Sequence, residues 1–581
     1  MNSKKAWQQL VTRPSKEFPR IFLPPKIDFS KWLNLAPYAD DLVNRSLETL
    51  PALRKWMLEV TEFQNVCFEE ESRLYVDMTC NTRDKTKSRA YAGFAKNIKP
   101  RLLSVQNKID KKIHTHPLKN KISRKKYGKW LGSLKNQLTL FSEKNLSINT
   151  EISELDQLYQ KVCGAMTVKW KGKAKTVVQM NVILEKKNRE ERESAWRKTW
   201  ERYIKDRAQL DTIFDKLRNK RSQVAKNLKL KDYREYCFKQ YERTDYTVKD
   251  CHVFHDTVET VIAPLYRKML DYKREQLGLT CLRPWDTACD PQGRSGLQPF
   301  RGQNELISGV GRIFKKMDPE LHKYFMIMRR KQLLDLENRY GKSPGGYQIM
   351  FDEVRLPFIF MNAVNSNKDV FVLLHESGHA FHQFLSRDFD FSYNREPPME
   401  FCEVASMSME RMGMKYLNEF YNEKDVARST AVAADDIFRL FIWIAIVDSF
   451  QHWIYTHPGH TRTQRNAKWL EIHERFHTGI NWSGLHNYRK TSWHRQLHIF
   501  LYPFYYIEYG IAQIGALQMW QQHQKNSKMA LNRYKKALAS GNTLSLKGLF
   551  TKAGLKFDFT PKTVGPLAEA LYDEWLQCRD S

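Results

Sequence analysis

The residues with the clearest chemical potential are His375, Glu376 and His379, within Val-Leu-Leu-His-Glu-Ser-Gly-His-Ala-Phe (372–381). Apolar spacing predicts a helix here. Residues four apart on a helix are separated by about 40° around the axis and about 6 Å along it. Two imidazoles so placed converge on one metal ion, and nitrogen donors favour Zn²⁺ over Mg²⁺ or Ca²⁺. Glu376 is displaced around the helix, where it reaches a metal-bound water rather than the metal. Phe371, Leu374, Phe381 and Leu385 make the flanks apolar, so the helix is expected to be buried and its histidines to need partners.

Such a centre takes a third protein ligand and leaves one position open. His382 shares the face of His375 but lies about 10.5 Å along the axis, too far to join it, and reads as a packed histidine. The next carboxylates follow Pro397-Pro398: Glu400, Glu403 and Glu410. Glu403 stands between Cys402, Val404 and Ala405, poor surroundings for a solvated charge, and Glu400 and Glu410 are its rivals.

The surrounding elements read as mostly helical. Helices are expected over 38–80, 86–136 and 246–275, two more over Glu185–Lys205 and Gln209–Asn227, and almost continuously from Asp369. A β-hairpin is expected over 165–180, with Val177 and Val178 in its second arm. Short strands are expected near 343–350 and 356–361, and a loop-rich connector over 281–300. The expected division is a basic helical region (1–140), a helical lobe with the hairpin (141–340) and a catalytic lobe (341–581).

The 581 residues are 41% hydrophobic with 15 Trp and 32 Phe, a composition for large packed cores. No run of about 18 apolar residues suggests a membrane helix, and the N-terminus has no signal-like apolar segment. Nine dispersed cysteines without a Cys-x-x-Cys motif argue against a disulfide framework, so a cytoplasmic setting is expected. Neither a complete phosphate loop nor a G-x-S-x-G elbow is present. The net charge is +31, and residues 81–130 hold 16 Lys or Arg against Asp84 and Asp110, a net +14. No nucleic-acid module accompanies this charge, so a solvated lysine-rich face is the preferred reading. The alternative is a protein whose basic N-terminal region binds nucleic acid or an acidic partner.

His-Glu-Ser-Gly-His-Ala-Phe-His (375–382), with Phe-Cys-Glu-Val-Ala-Ser-Met-Ser-Met-Glu (401–410), resembles the thimet oligopeptidase family of zinc metallopeptidases, and most closely its oligoendopeptidase F branch. Residues 241–258, Leu-Arg-Pro-Trp-Asp (282–286), Gly-Gly-Tyr (345–347), 357–362, 447–453 and 498–509 fit as well, so the resemblance spans roughly 150–581. The first 140 residues match only in helical character. The resemblance implies a mainly α, two-lobed fold around a deep substrate channel, with a small β-sheet beside the H-E-x-x-H helix. It implies one zinc per chain on His375, His379 and Glu403, with Glu376 as general base. It makes His498, Tyr506 and Tyr509 catalytic and substrate-binding, with Tyr502, Gly345 and Gly346 as further substrate contacts; Tyr505 reads as aromatic core. The implied activity is internal hydrolysis of short peptides, with no membrane partner.

Overall fold

A computed structural model describes residues 17–343 and 345–581. The elements needed below are, in chain order, β1 (Thr167–Trp170), β2 (Lys173–Thr176), α1 (Arg189–Asn227), α2 (Val248–Thr257), β3 (Leu334–Glu337), β4 (Tyr347–Phe351), β5 (Leu356–Ala363), α3 (Asn367–Ser386), α4 (Met399–Gly413) and α5 (Glu423–Thr456). Most other elements are helices. Among the described residues, none is long and apolar enough to cross a membrane, and none of the nine cysteines is in a disulfide.

The chain forms two compact units. The first comprises Met1–Leu138, Gln298–Glu423 and Gly515–Phe557; the second comprises Thr139–Leu297, Lys424–Ile514 and Asp558–Ser581. Each is thus drawn from three separate stretches, whereas the division read from the sequence runs contiguously along the chain.

In the first unit, Trp56, Phe63, Ile109, Ile113 and Leu134 join one core built from the N-terminal helices. The basic residues of 81–130 lie largely on the outside of these helices, and several have structural partners. Lys87 pairs with Asp77 at 2.9 Å and Lys99 with Glu71 at 2.6 Å. Lys112 donates to the carbonyls of Val43 and Arg45. The three-stranded sheet has the order β3-β5-β4, with β5 parallel to β3 and antiparallel to β4. Central β5 buries Pro357–Met361 without alternation, as a strand covered on both faces does. Edge strand β4 packs its Tyr347 ring on Phe360 at 4.7 Å.

α3 starts at a capping box. The Asp369 carboxylate accepts from Ser366 N at 2.8 Å and from Val364 N at 2.9 Å, which fixes where the helix leaves β5. Its inner face, Leu373, Leu374, Ala380 and Phe381, is completely buried. α3 and α4 pack so closely at Gly378 that a Cβ there would lie 2.6 Å from Ser406 Cα and 2.7 Å from the Ala405 carbonyl.

In the second unit, β1 and β2 pair antiparallel around Lys171 and Gly172, both with positive φ, as a two-residue hairpin turn requires. Val177 and Val178 do not extend this hairpin. They open a short helix whose Thr176–Gln179 capping box outweighs their strand preference. The two helices expected over 185–227 are one: α1 runs unbroken for 39 residues, because Asp206-Arg207-Ala208 contains no Gly or Pro to end it. The helix expected over 246–275 passes through a widened turn, Val258–Ile262, just before Pro264, which lacks an N–H to continue the ladder. Trp196 and Trp200 of α1 pack with Trp285 and Leu485 in a buried cluster.

Candidate metal centre

In the first unit α3 and α4 bring three expected ligands together. His375, His379 and Glu403 each offer a donor atom within 4.8 Å of the other two. Glu403 Oε2 lies 3.4 Å from His375 Nε2 and 3.8 Å from His379 Nε2. The imidazole centroids are 4.9 Å apart and nearly perpendicular, so both rings aim at the carboxylate from different directions. Both rings keep a partly exposed edge, whereas Glu403 is buried.

Both rings have further partners. His375 Nδ1 is 2.6 Å from Glu410 Oε1, and His379 bonds the Cys402 backbone carbonyl. The Glu410 contact sets the tautomer that turns Nε2 of His375 toward Glu403. Ser406 Oγ donates to Glu403 Oε2 at 3.2 Å. Glu410, one of two rivals for the third ligand, is therefore the orienting partner of His375. Glu403 and Glu410 stand seven residues apart, two turns along one face of α4, so both carboxylates reach the same imidazole from that helix. Glu400, the other rival, is buried on the same helix.

The electrostatics follow from burying this cluster. Burial alone would raise the Glu403 carboxyl, but the His375 hydrogen bond and the charges of His379 and His375 hold it down to about 2. Burial opposes protonation of His375, yet the contacts to Glu403 and Glu410 outweigh it and raise its pKa. Burial lowers His379 to about 4. Glu376 moves to about 7, chiefly through burial; His375 works against the shift, and Glu403 and Glu410 reinforce it. Its carboxylate also accepts the backbone N–H of Gln348, so β4 lies beside the candidate base. At Gly346 beside it, a Cβ would make only ordinary contact with Glu376 Oε1, at 3.9 Å, but would crowd the Phe360 carbonyl of β5 at 3.3 Å. Gly345 has φ +96°, and its carbonyl accepts from Asn362 Nδ2 at 2.8 Å. His382 is fully buried beside Phe401, outside the ligand set.

The remaining expected residues gather in the second unit around one ring. His498 has Tyr506 at 4.8 Å, Tyr505 and Tyr509 at 5.9 Å and Tyr502 at 6.2 Å, centroid to centroid. His498 Nδ1 is 2.7 Å from Gln496 Nε2, and Gln496 Oε1 accepts from Trp443 Nε1 at 2.7 Å. Tyr502 is exposed, and Tyr506 is buried with its hydroxyl pushed up to about 12 by that burial. Tyr505 is half-buried and stacks on His498, so it belongs to this cluster rather than to the core.

Residues 182–564 match the model of peptidase family M3. The chain belongs to that family. It is accordingly a metallopeptidase, and the His375–His379–Glu403 cluster has the donor set that such an enzyme needs. Several solved structures share the fold. "PZ peptidase A with inhibitor 2" aligns over 95% of this chain and 98% of its own, with TM-score 0.88 and 24% identity. A candidate oligoendopeptidase F from Bacillus anthracis strain Ames covers 96% and 98%, with TM-score 0.84 and 22% identity. Oligoendopeptidase-F from Enterococcus faecium covers 94% and 97%, with TM-score 0.65 and 14% identity. No curated protein sequence matches this chain.

Proposed function

We propose that this M3-family protein is a zinc-dependent oligoendopeptidase that cleaves internal bonds of short peptides. The observation that carries this reading is the convergence of His375 Nε2, His379 Nε2 and Glu403 Oε2, with Glu376 beside them on the same helix. Two imidazoles and one carboxylate suit Zn²⁺ better than Mg²⁺ or Ca²⁺. The fit is supported by a buried carboxylate drawn to both rings and by the commitment of His375 Nδ1 to Glu410. His375, His379 and Glu403 would hold one zinc per chain.

Bound there, zinc supplies a Lewis acid that polarises a peptide carbonyl and acidifies water. Glu376, steered by the Gln348 N–H, takes a proton from the attacking water and delivers it to the departing amine. Gly345 and Gly346 leave room for substrate beside Glu376, and edge strand β4 offers backbone groups for pairing with an extended peptide. The resemblance assigns oxyanion stabilisation to His498, Tyr506 and Tyr509, and a substrate contact to Tyr502. A buried tyrosine with a raised pKa keeps its proton and suits that donor role.

Two variants separate holding the metal from using it. Glu403→Ala should lose zinc by elemental analysis, whereas Glu376→Gln should keep it and lose at least about 10²–10⁴-fold in turnover. Full zinc in Glu403→Ala would move the third ligand to Glu400 or Glu410. Near-normal turnover in Glu376→Gln would remove Glu376 from the mechanism.

A further inference from the structure

The second unit holds another convergence of metal-ligating side chains, far in sequence from the H-E-x-x-H helix. α2 carries Cys251, His252 and His255, and α5 carries Asp448 and His452 one turn apart. Cys251, Asp448 and His452 are all buried, and each offers one donor atom within 4.8 Å of the other two. This is the i, i+4 logic of the catalytic motif, split between two helices.

The polar atoms of this cluster are incompletely satisfied. Asp448 is fully buried, and its Oδ2 accepts from His255 Nε2 at 2.8 Å. Its Oδ1 has no hydrogen-bond partner. His452 Nε2 approaches Asp448 Oδ2 at 3.2 Å, but without hydrogen-bond alignment, and it too lacks a partner. Phe504 and Phe238 pack against the His452 ring at 5.2 and 6.4 Å. A carboxylate oxygen and an imidazole nitrogen left orphaned beside a buried thiol are costly, because each gave up water without a replacement. One divalent cation would satisfy all three. The exposed imidazole of His252, 5.1 Å from His452 centroid to centroid, links the cluster to solvent and offers an entry path.

We propose that Cys251, Asp448 and His452 form a second, structural metal site for a zinc-class divalent cation, with His255 orienting Asp448 through Oδ2. The sulfur and nitrogen donors select against Mg²⁺ and Ca²⁺. Burial keeps the Cys251 thiol protonated in the absence of an ion. Binding therefore releases that proton to solvent as the thiolate–metal bond forms. Arg234 stands 3.4 Å from His452 Nδ1. When Nε2 binds an ion, Nδ1 must carry the proton, so this guanidinium opposes binding and weakens the site.

Cobalt(II) is the probe, because of the two clusters among the described residues the one at Cys251 includes a sulfur donor and can give a thiolate-to-cobalt charge-transfer absorption, whereas His375, His379 and Glu403 cannot. Full-length protein titrated with Co²⁺ should bind about two equivalents and develop that band. Cys251→Ser should lose the band and one equivalent. Glu403→Ala should lose the other equivalent and keep the band, which makes the test independent of the catalytic reading. Arg234→Gln removes the opposing cation and should tighten the sulfur site by about tenfold, a gain that misfolding cannot produce. Absence of a charge-transfer band in the folded wild type at saturating cobalt, or a band that survives Cys251→Ser, would overturn the proposal.

Discussion

Two carboxylates flank the imidazole of His375 and have different tasks. Glu403 faces Nε2 at 3.4 Å, and Glu410 holds Nδ1 at 2.6 Å. The second contact makes the ring more basic and fixes its direction. Glu410→Gln keeps an acceptor but removes the charge, so it should weaken zinc binding by about 10–100-fold in a chelator-competition assay. Unchanged affinity would mean that packing alone orients His375. Glu403 was one of three carboxylates legible as candidates, because a charge between Cys402, Val404 and Ala405 needs a partner. The task of Glu410 was not legible, because spacing places a side chain on a face without saying which nitrogen it meets.

The candidate metal centre depends on how closely α3 and α4 approach. Gly378 permits that contact, and the atoms facing it are backbone atoms of α4, which cannot rotate away. Gly378→Ala should cost about 1–3 kcal/mol of stability in denaturant titration and lower zinc affinity, because moving α4 moves Glu403. Wild-type stability and affinity would show that the helices separate freely. In the second unit, α1 is tied down by Asp286, which pairs with Arg192 at 2.9 Å and Arg189 at 2.8 Å. Burial would raise this carboxyl, but the two arginines bring it below its ordinary value. A depressed folded pKa gives stability that is present above the unfolded value of about 3.9 and is lost as pH falls toward the folded value. Asp286→Asn strands the buried Arg192 and should cost about 3–5 kcal/mol near neutral pH. Thermal unfolding followed across the acid range should show the wild type converging on the variant as pH drops; a constant gap would exclude the linkage. The strand β5 and the H-E-x-x-H helix were legible because apolar runs and i, i+4 spacing are local signals. The unbroken α1 was not, because its charged middle reads equally well as a join between two helices.

For the whole molecule, family membership was legible from motifs scattered over residues 150–581, whereas the composition of the two units was not. Residues 298–423 and 515–557 return to the N-terminal helices through contacts that no local pattern encodes. The basic excess of 81–130 was visible as a charge run, but its part in holding helices together through Lys87, Lys99 and Lys112 depends on three-dimensional partners. The proposed function of the whole molecule is hydrolysis of internal bonds of short peptides with a bound zinc and Glu376. The direct measurement is a mass-spectrometric digest of a mixed peptide library by the wild type, by the wild type with a chelator and then with added zinc, and by Glu376→Gln. Short peptides should be cut internally by the wild type, and that cleavage should vanish with the chelator, return with zinc and be missing in the variant. Cleavage that persists in the chelator or in Glu376→Gln, or products trimmed only from peptide ends, would overturn the proposed function.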